Sequence, residues 1–270
     1  MKLSLVLSTH QAQFEPVALK GDFEANIAKI AAWGYDGVEL AIRDPALVDV
    51  DALVRVVEAH ELAVPAIGTG QAWGEEHLSF TSNDARVRAA AITRIRSHIP
   101  LAAQMHAAVI IGLIRGITPH SQSHEDSMAY FAEAMRACGE AAQGTGVRFA
   151  IEPLNRYETD LIHTVAEGLD FLDCVGMDNV GLLLDTFHMN IEEPHIEESI
   201  RACGDRIFHV HVADSNRWYP GAGHVDFSSV VTTLRDIGYE GWISGEFMPK
   251  PDAESAAQRA IAHMASLMRQ

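Results

Sequence analysis

Cysteine, positive charge and long apolar runs are scarce in this chain, and each shortage argues against a class of protein. Its three cysteines, Cys138, Cys174 and Cys203, are odd in number and widely spaced, which indicates reduced thiols in a cytoplasmic protein. The 20 Lys and Arg are outnumbered by 37 Asp and Glu, and the net charge of −17 argues against nucleic acid or an anionic membrane as a partner. No apolar run has the length of about 18 residues that a membrane span needs.

Linkers and low-complexity tracts are lacking as well. No Pro/Ser/Gly-rich tract or shift in composition divides the chain, so we predict one domain over residues 1–270. The opening segment MKLSLVLSTH has too short an apolar run for a signal peptide, and no small-residue cleavage site follows it. We therefore predict that this segment forms the first strand.

The chain does contain a regular alternation of short apolar runs with segments of helical periodicity. The runs predicted as strands are 2–8, 36–41, 63–68, 107–113, 147–152, 179–185, 206–213 and 240–247. The segments predicted as helices are 22–33, 50–60, 84–105, 124–143, 165–176, 196–203, 227–236 and 253–268. Short strands that are apolar on both faces are typical of a buried parallel sheet. We therefore predict an α/β fold, a (β/α)₈ TIM barrel.

Four polar residues stand at the ends of the last four apolar runs. They are Glu152, Asp185, His211 and Glu246, separated by 33, 26 and 35 residues. A strand, a loop and a covering helix occupy about 30 residues, so each of the four lies one βα unit after the last. Burying an unpaired charge costs several kcal/mol. We therefore expect the four groups to share a divalent cation, and these ligands are compatible with Mn²⁺, Mg²⁺, Co²⁺ or Zn²⁺.

The alternation of side chains along a strand agrees with this arrangement. A residue two positions before a ligand shares its inward face, so His209 is expected to be buried beneath His211. Phe208 and Val210, on the other face, are expected to contact the covering helices. Glu39, in the run GVEL, is expected to point into the barrel and support the site from behind.

Several segments resemble a known group of enzymes. IEPLNRYETD, LLLDTFHMNIEE, HVHVADSNRWYPGAGHVDF and SGEF resemble the sugar isomerase/epimerase group of xylose isomerase-like TIM barrels. Within that group the chain is most similar to the ketose 3-epimerases, the D-tagatose and D-psicose 3-epimerase kind. IGTGQAW and VIIGLIRG are further similar to 5-keto-L-gluconate epimerase, which acts on keto-sugar acids.

The resemblance implies roles for individual residues. Glu152, Asp185, His211 and Glu246 would bind the metal, usually Mn²⁺, and Glu152 and Glu246 would also form the acid/base pair. The residues that would hold the first carbons and the carbonyl of the substrate are Glu158, His188 and Arg217. The resemblance also implies a homodimer or homotetramer.

These residues suit epimerisation of a ketose at C3 through an enediolate. The reaction removes a proton from one face of the carbon and returns it to the other, which two carboxylates on opposite sides can do. A metal stabilises the enolate as a Lewis acid. The substrate is expected to be a keto sugar or a keto-sugar acid. Arg115, after the fourth strand, could hold a sugar carboxylate, and Gln71, after the third, could line the pocket.

Other functions stay open at this point. An aldose–ketose isomerase of sugars or sugar phosphates shares the enediolate but moves the proton between C1 and C2. A metal-dependent hydrolase or endonuclease needs more metal ligands, and the third and fourth runs end in AIGTG and IIGLIRG, with no histidine. A non-catalytic sugar-binding protein would have no use for an acid/base pair.

Overall fold

A computed structural model describes residues 1–269, so that Gln270, the last residue of the predicted domain, lies outside the described residues. Its strands are all parallel and follow one another around a barrel, with β1 paired to both β3 and β9. The two-residue strand β2 adds to the upper end of β1. The strands are β1 Lys2–Ser8, β2 Leu19–Lys20, β3 Gly37–Ala41, β4 Ala66–Gly68, β5 Ala108–Ile111, β6 Phe149–Ile151, β7 Val180–Asp185, β8 Ile207–Val212 and β9 Trp242–Gly245.

The closed barrel of eight strands, β1 and β3 to β9, confirms the predicted (β/α)₈ fold. Ten α-helices are found in residues 1–269. They are α1 Phe23–Ala32, α2 Val50–Ala59, α3 Gln71–Glu76, α4 Ala85–Met105, α5 His124–Ala141, α6 Val165–Val175, α7 Thr186–Glu192, α8 Ile196–Cys203, α9 Phe227–Asp236 and α10 Ala253–Met268. All eight predicted helices are present. The short helices α3 and α7 were not predicted, and both begin close to the ends of strands. Within the described part of the chain, no helix combines the length and apolar character needed to cross a membrane.

Local sequence signals explain where helices begin and end, and α6 is the clearest case. The Thr164 hydroxyl accepts a hydrogen bond from the backbone N–H of Glu167, and the Glu167 carboxylate accepts one from the backbone N–H of Thr164. This reciprocal pair satisfies two N–H groups that the first turn leaves free. Gly176 ends the helix in the left-handed region that glycine adopts without strain. The helix therefore has a fixed start and a fixed end in the connection between β6 and β7.

The barrel interior is apolar on the side of β4 to β7 and polar on the side of β8, β9, β1 and β3. The apolar side is a small cluster formed by Ala66, Ala108, Ile110, Ala150 and Leu183. Buried polar side chains, Ser4, Glu39, His209 and Ser244, form a separate hydrogen-bonded group inside the barrel. The four predicted metal ligands lie one interior position further along their strands. Glu152 and Asp185 thus follow Ala150 and Leu183 of the apolar side, and His211 and Glu246 follow His209 and Ser244 of the polar side.

Phe208 differs from its predicted position. The pairing of β7 with β8 shifts register, so that Leu182 faces Ile207 while Leu183 already faces His209. Phe208 is the extra residue of this irregularity, and it packs on the interior apolar cluster instead of the covering helices. Its ring lies over Gly181, where an added methyl group would come within 2.6 Å of it. Despite the bulge, His209 and His211 both point into the barrel, as predicted.

Candidate active site

Glu152, Asp185, His211 and Glu246 converge at the carboxyl end of the barrel. Asp185 is the last residue of β7 and His211 lies in β8, while Glu152 and Glu246 directly follow β6 and β9. One ligand atom from each residue can be chosen so that all four lie within 4.8 Å of one another. The strand phase inferred from sequence thus brings the four side chains to one point.

The unpaired atoms of this cluster fit a divalent cation. Glu152 Oε1, Asp185 Oδ2 and His211 Nδ1 are buried and have no hydrogen-bond partner among residues 1–269. The other Asp185 oxygen, Oδ1, accepts from the backbone N–H of Phe187 and so caps α7. His211 Nδ1 lies 3.8 Å from Glu152 Oε1 and 3.8 Å from Glu246 Oε2. Carboxylate oxygens and one imidazole nitrogen are donors that Mn²⁺, Mg²⁺, Co²⁺ and Zn²⁺ accept.

The electrostatics of the cluster also favour a cation. Burial raises the pKa of Glu152 well above its ordinary value, and the nearby Glu246 carboxylate adds to this shift. Burial likewise raises the pKa of Glu246 to about 7 and raises the pKa of Asp185. Three carboxylates, two of them buried and that of Glu246 partly buried, destabilise their own ionised forms when too little positive charge is near. A bound divalent ion would supply the missing charge.

Glu39 supports this cluster from inside the barrel. Its carboxylate accepts a hydrogen bond from His211 Nε2 at 3.0 Å and one from His209 Nε2 at 2.8 Å. Although burial disfavours the ionised form, the two histidines hold the pKa of Glu39 well below its ordinary value. With Nε2 donating to Glu39, Nδ1 of His211 is the nitrogen that faces the cluster. Such a carboxylate–histidine pair orients a metal ligand and raises its basicity.

His188 lies on α7, not in a loop, and its ring reaches the same cluster. Its Nε2 lies 3.7 Å from both Glu152 Oε1 and Asp185 Oδ2. Its Nδ1 accepts a hydrogen bond from the side chain of Asn155 at 2.8 Å. Burial lowers the pKa of His188 well below its ordinary value, and the charge of Arg217 acts in the same direction. The sequence analysis did not single out Asn155, although it stands in the segment NRYE beside Glu158.

Glu158 and Arg217 form an ion pair at the wall of the cavity. Arg217 Nη1 donates to Glu158 Oε1 at 2.7 Å, and Arg217 Nη2 lies 4.0 Å from Glu246 Oε2. The guanidinium also contacts the rings of Phe187 and Phe14, at 4.7 Å and 5.4 Å from their centroids. These contacts fix a long side chain that would otherwise lose considerable rotamer freedom on binding.

Asp214, which the sequence analysis did not identify, organises the loop that carries Arg217. Its buried carboxylate accepts hydrogen bonds from the backbone N–H groups of Ser215, Gly221 and Val225. Its backbone carbonyl accepts from the N–H of Arg217 at 2.7 Å. Asp214 is the second residue after β8, so the strand end determines where the loop begins.

The described residues enclose a cavity above the cluster. Gln71, on α3, lines it and donates through Nε2 to the Ser8 hydroxyl, while its buried Oε1 has no partner within residues 1–269. The apolar part of the wall consists of Val6, Phe14, Val17, Ala41, Ile110, Leu113 and Leu154. The predicted site residues that line it are Glu152, Glu158, His188, His211, Arg217, Glu246 and Gln71.

Arg115 does not lie where the sequence analysis expected it. It is fully buried and is absent from the cavity wall. Its guanidinium donates to the backbone carbonyls of Ile111, Gly112 and Glu152. Arg115 therefore ties the end of β5 to the end of β6, because its guanidinium donates to carbonyls that follow or end both strands. Burial lowers its pKa to about 10.

Comparison with known proteins agrees with this geometry. The family model of the xylose isomerase-like TIM barrel matches residues 27–267. This chain belongs to that family. The expected resemblance to the xylose isomerase-like barrels is thereby confirmed, and the match covers nearly all of the barrel.

Similar members of the family are named as epimerases of ketoses. The chain is 35% identical over 224 residues to an L-ribulose 3-epimerase of Methylomonas sp. strain DH-1, which covers 82% of this chain and 76% of the relative. It is 32% identical over 229 residues to a D-psicose 3-epimerase of Ruminiclostridium cellulolyticum, covering 82% and 77%. A crystal structure of D-allulose 3-epimerase from Methylomonas sp. in complex with D-allulose superposes with a TM-score of 0.84 at 28% identity, covering 98% of this chain and 96% of that chain.

Proposed function

We propose that this protein is a metal-dependent isomerase that epimerises neutral ketoses at C3. The observation that carries the proposal is the placement of Glu152 and Glu246 around one buried point that fits a divalent cation. Family membership and the ketose 3-epimerases among the relatives support the same reaction.

The two glutamates are placed for proton transfer on opposite faces of a substrate. Glu152 follows β6 and Glu246 follows β9, with β7 and β8 between them. One carboxylate removes the C3 proton, and the other delivers a proton to the opposite face of the carbon. When bound, a divalent metal such as Mn²⁺ supplies Lewis-acid polarisation of the carbonyl.

The remaining polar residues bind and orient the sugar. His188 offers Nε2 towards the carbonyl oxygen, and Arg217 is held by Glu158 beside Glu246. Gln71 offers Oε1, which no group of residues 1–269 occupies, as an acceptor for a hydroxyl group. Each of these contacts fixes the substrate so that C3 lies between the two glutamates.

The charges of the cavity favour a neutral ketose over a keto-sugar acid. Arg217 is the one Lys or Arg side chain that lines the cavity in the described part of the chain, and Glu158 already pairs with it. Arg115, the residue expected to hold a carboxylate, is buried behind the wall. A sugar carboxylate would therefore meet several acidic groups without a free cation.

The test is product analysis by NMR in D₂O with the Mn²⁺-loaded enzyme. We expect D-psicose, L-ribulose or D-tagatose to be converted to its C3 epimer, with solvent deuterium entering at C3. D-Tagaturonate and 5-keto-L-gluconate should react at least tenfold more slowly. An aldose product with deuterium at C2 would instead identify an aldose–ketose isomerase, and faster turnover of the uronates would contradict the neutral substrate.

Two further predictions accompany this function: a homodimer or homotetramer, and a cytoplasmic location. Light scattering coupled to size-exclusion chromatography measures the first. A monomeric mass of 29.5 kDa would contradict it.

A further inference from the structure

We propose that Asn155 is a positioning residue that holds the His188 ring in its Nε2–H form and so keeps a hydrogen-bond donor directed into the cavity. What that donor does to a sugar rests on the proposed epimerase function. The hydrogen-bonding state of the ring itself does not, and it can be measured without any substrate.

The orientation of the Asn155 amide follows from one backbone contact. The backbone N–H of Tyr157 lies 3.0 Å from Asn155 Oδ1. A backbone N–H can only donate, so the amide atom that faces it must be the oxygen. The amide nitrogen Nδ2 is thereby turned to the opposite side, towards Glu158 and His188.

The two hydrogens of Asn155 Nδ2 have two acceptors. One is Glu158 Oε1 at 3.0 Å, and the other is His188 Nδ1 at 2.8 Å. The backbone N–H of Asn155 also points at His188 Nδ1, at 3.2 Å. A nitrogen that faces two donors carries no proton, so the single proton of the neutral imidazole lies on Nε2.

That Nε2–H is directed at the reacting region. His188 is 1% exposed, and its Nε2 lies 3.7 Å from both Glu152 Oε1 and Asp185 Oδ2, too far for a hydrogen bond. Within residues 1–269 this nitrogen has no partner. A buried donor without a partner is costly, and a substrate oxygen placed between it and the ligand cluster would satisfy it.

The same amide links two groups of the cavity wall. Glu158, which accepts the second Nδ2 hydrogen, holds Arg217 at 2.7 Å. Asn155 itself makes no hydrogen bond to any of the four predicted metal ligands. Its substitution should therefore affect orientation of the substrate and leave metal binding intact.

The first measurement uses the metal-free wild-type protein labelled with ¹⁵N-histidine. Long-range ¹H–¹⁵N correlation spectra distinguish a ring protonated at Nε2 from one protonated at Nδ1, and the pattern that disappears in His188→Gln identifies the His188 ring. We expect protonation at Nε2 alone. Protonation at Nδ1 in the wild type would overturn the proposal, whether or not any variant folds.

The second measurement compares Asn155→Asp with wild type. The variant keeps the shape of the side chain but replaces Nδ2 by a carboxylate oxygen. Because this oxygen can only accept a hydrogen bond, it favours a proton on His188 Nδ1. We expect the His188 ¹⁵N pattern to change, and kcat on the best ketose to fall about 10²–10³-fold, the effect of losing one preorganised donor. KM should change much less than kcat, and bound metal should stay at the wild-type level.

Tyr157→Ala is the matched control, since Tyr157 is in the same loop, is 81% exposed and offers only its backbone N–H to Asn155. It should keep the wild-type His188 pattern and activity. An Asn155→Asp protein that keeps wild-type kcat, or whose His188 pattern is unchanged, would contradict the proposal. If wild-type enzyme epimerises no ketose, the proposed function fails while the NMR result still decides the role of Asn155.

Discussion

Three side chains of the site each use one polar atom to hold their position and present a second polar atom to a ligand. Asp185 caps α7 through Oδ1 and leaves Oδ2 without a partner among residues 1–269. His211 donates through Nε2 to Glu39 and leaves Nδ1, and His188 accepts through Nδ1 and leaves Nε2. The protein thus fixes the direction of each free atom before any ligand binds, and this preorganisation avoids an entropic cost at the moment of binding.

Replacing Glu152 or Glu246, the proposed acid/base pair, by glutamine tests the two-carboxylate mechanism. Glu152→Gln and Glu246→Gln should each lower kcat by about 10²–10⁴-fold, because an amide cannot exchange the proton. Metal content has to be measured in each preparation so that loss of metal is separated from loss of proton transfer. Glu198→Gln, at an exposed position on α8, is the control. A fully metallated Glu246→Gln enzyme with normal turnover would rule out the mechanism.

Glu39 provides a second test at this scale. In Glu39→Gln the neutral amide still accepts from His211 but no longer raises its basicity, so metal affinity should fall about 10–100-fold. Isothermal titration of metal-free protein with Mn²⁺ measures the change directly. Glu58→Gln removes an exposed carboxylate on α2 and should leave the affinity unaltered. Equal affinities for wild type and Glu39→Gln would mean that Glu39 only fills space in the barrel.

The site residues at strand ends could be predicted from sequence. Those that act by hydrogen bonds to the backbone of loops could not. Glu152, Asp185, His211 and Glu246 follow from strand length and phase alone. Asn155 and Asp214 work by hydrogen bonds to backbone N–H groups of irregular loops. Such loops have no sequence period, so nothing in the pattern indicates which donors a side chain will meet.

At the scale of elements, Arg115 shows how a charged side chain serves the scaffold. Its guanidinium joins the end of β5 to the carbonyl of Glu152 at the end of β6. The sequence placed Arg115 after the correct strand, but the direction of its side chain depends on the short 3₁₀ turn Leu113–Arg115. A turn of three residues is too short to show a helical period in the sequence. The seven residues of α7 are also too few to show one.

Arg115→Met should therefore destabilise the barrel rather than change its substrate preference. The carbonyls of Ile111 and Gly112 keep backbone donors, from the N–H groups of Glu152 and of residue 115. The loss of the donor to the Glu152 carbonyl should therefore dominate and lower the free energy of unfolding by about 1–3 kcal/mol. Urea denaturation measures it, with Arg86→Met, whose side chain is 92% exposed, as control. Unchanged stability together with a selective loss of activity on uronates would restore the role that the sequence analysis gave to Arg115.

At the scale of the whole molecule, metal binding and folding are expected to be linked. The ligands come from β6, β7, β8 and β9, so an unfolded chain has no such site. Mn²⁺ at 100 times its dissociation constant would stabilise the folded state by about 2.7 kcal/mol, or about 5–10 °C in Tm for a chain of this size. Scanning calorimetry before and after chelation measures this shift, and activity should disappear and return with the metal. Full activity in metal-free protein would contradict the proposal.

The pairing of β1 with β9 has a consequence for how the protein is made on the ribosome. The edge of Lys2–Ser8 that receives Trp242–Gly245 is synthesised first, and its partner emerges more than 230 residues later. At a synthesis rate of about 5–20 residues per second, this edge stays without its β9 partner for roughly ten to fifty seconds. During that interval the nascent chain exposes one unpaired edge of a largely apolar strand, which invites contact with neighbouring chains. Chaperones that shield exposed strand edges are therefore expected to bind the nascent chain at Lys2–Ser8.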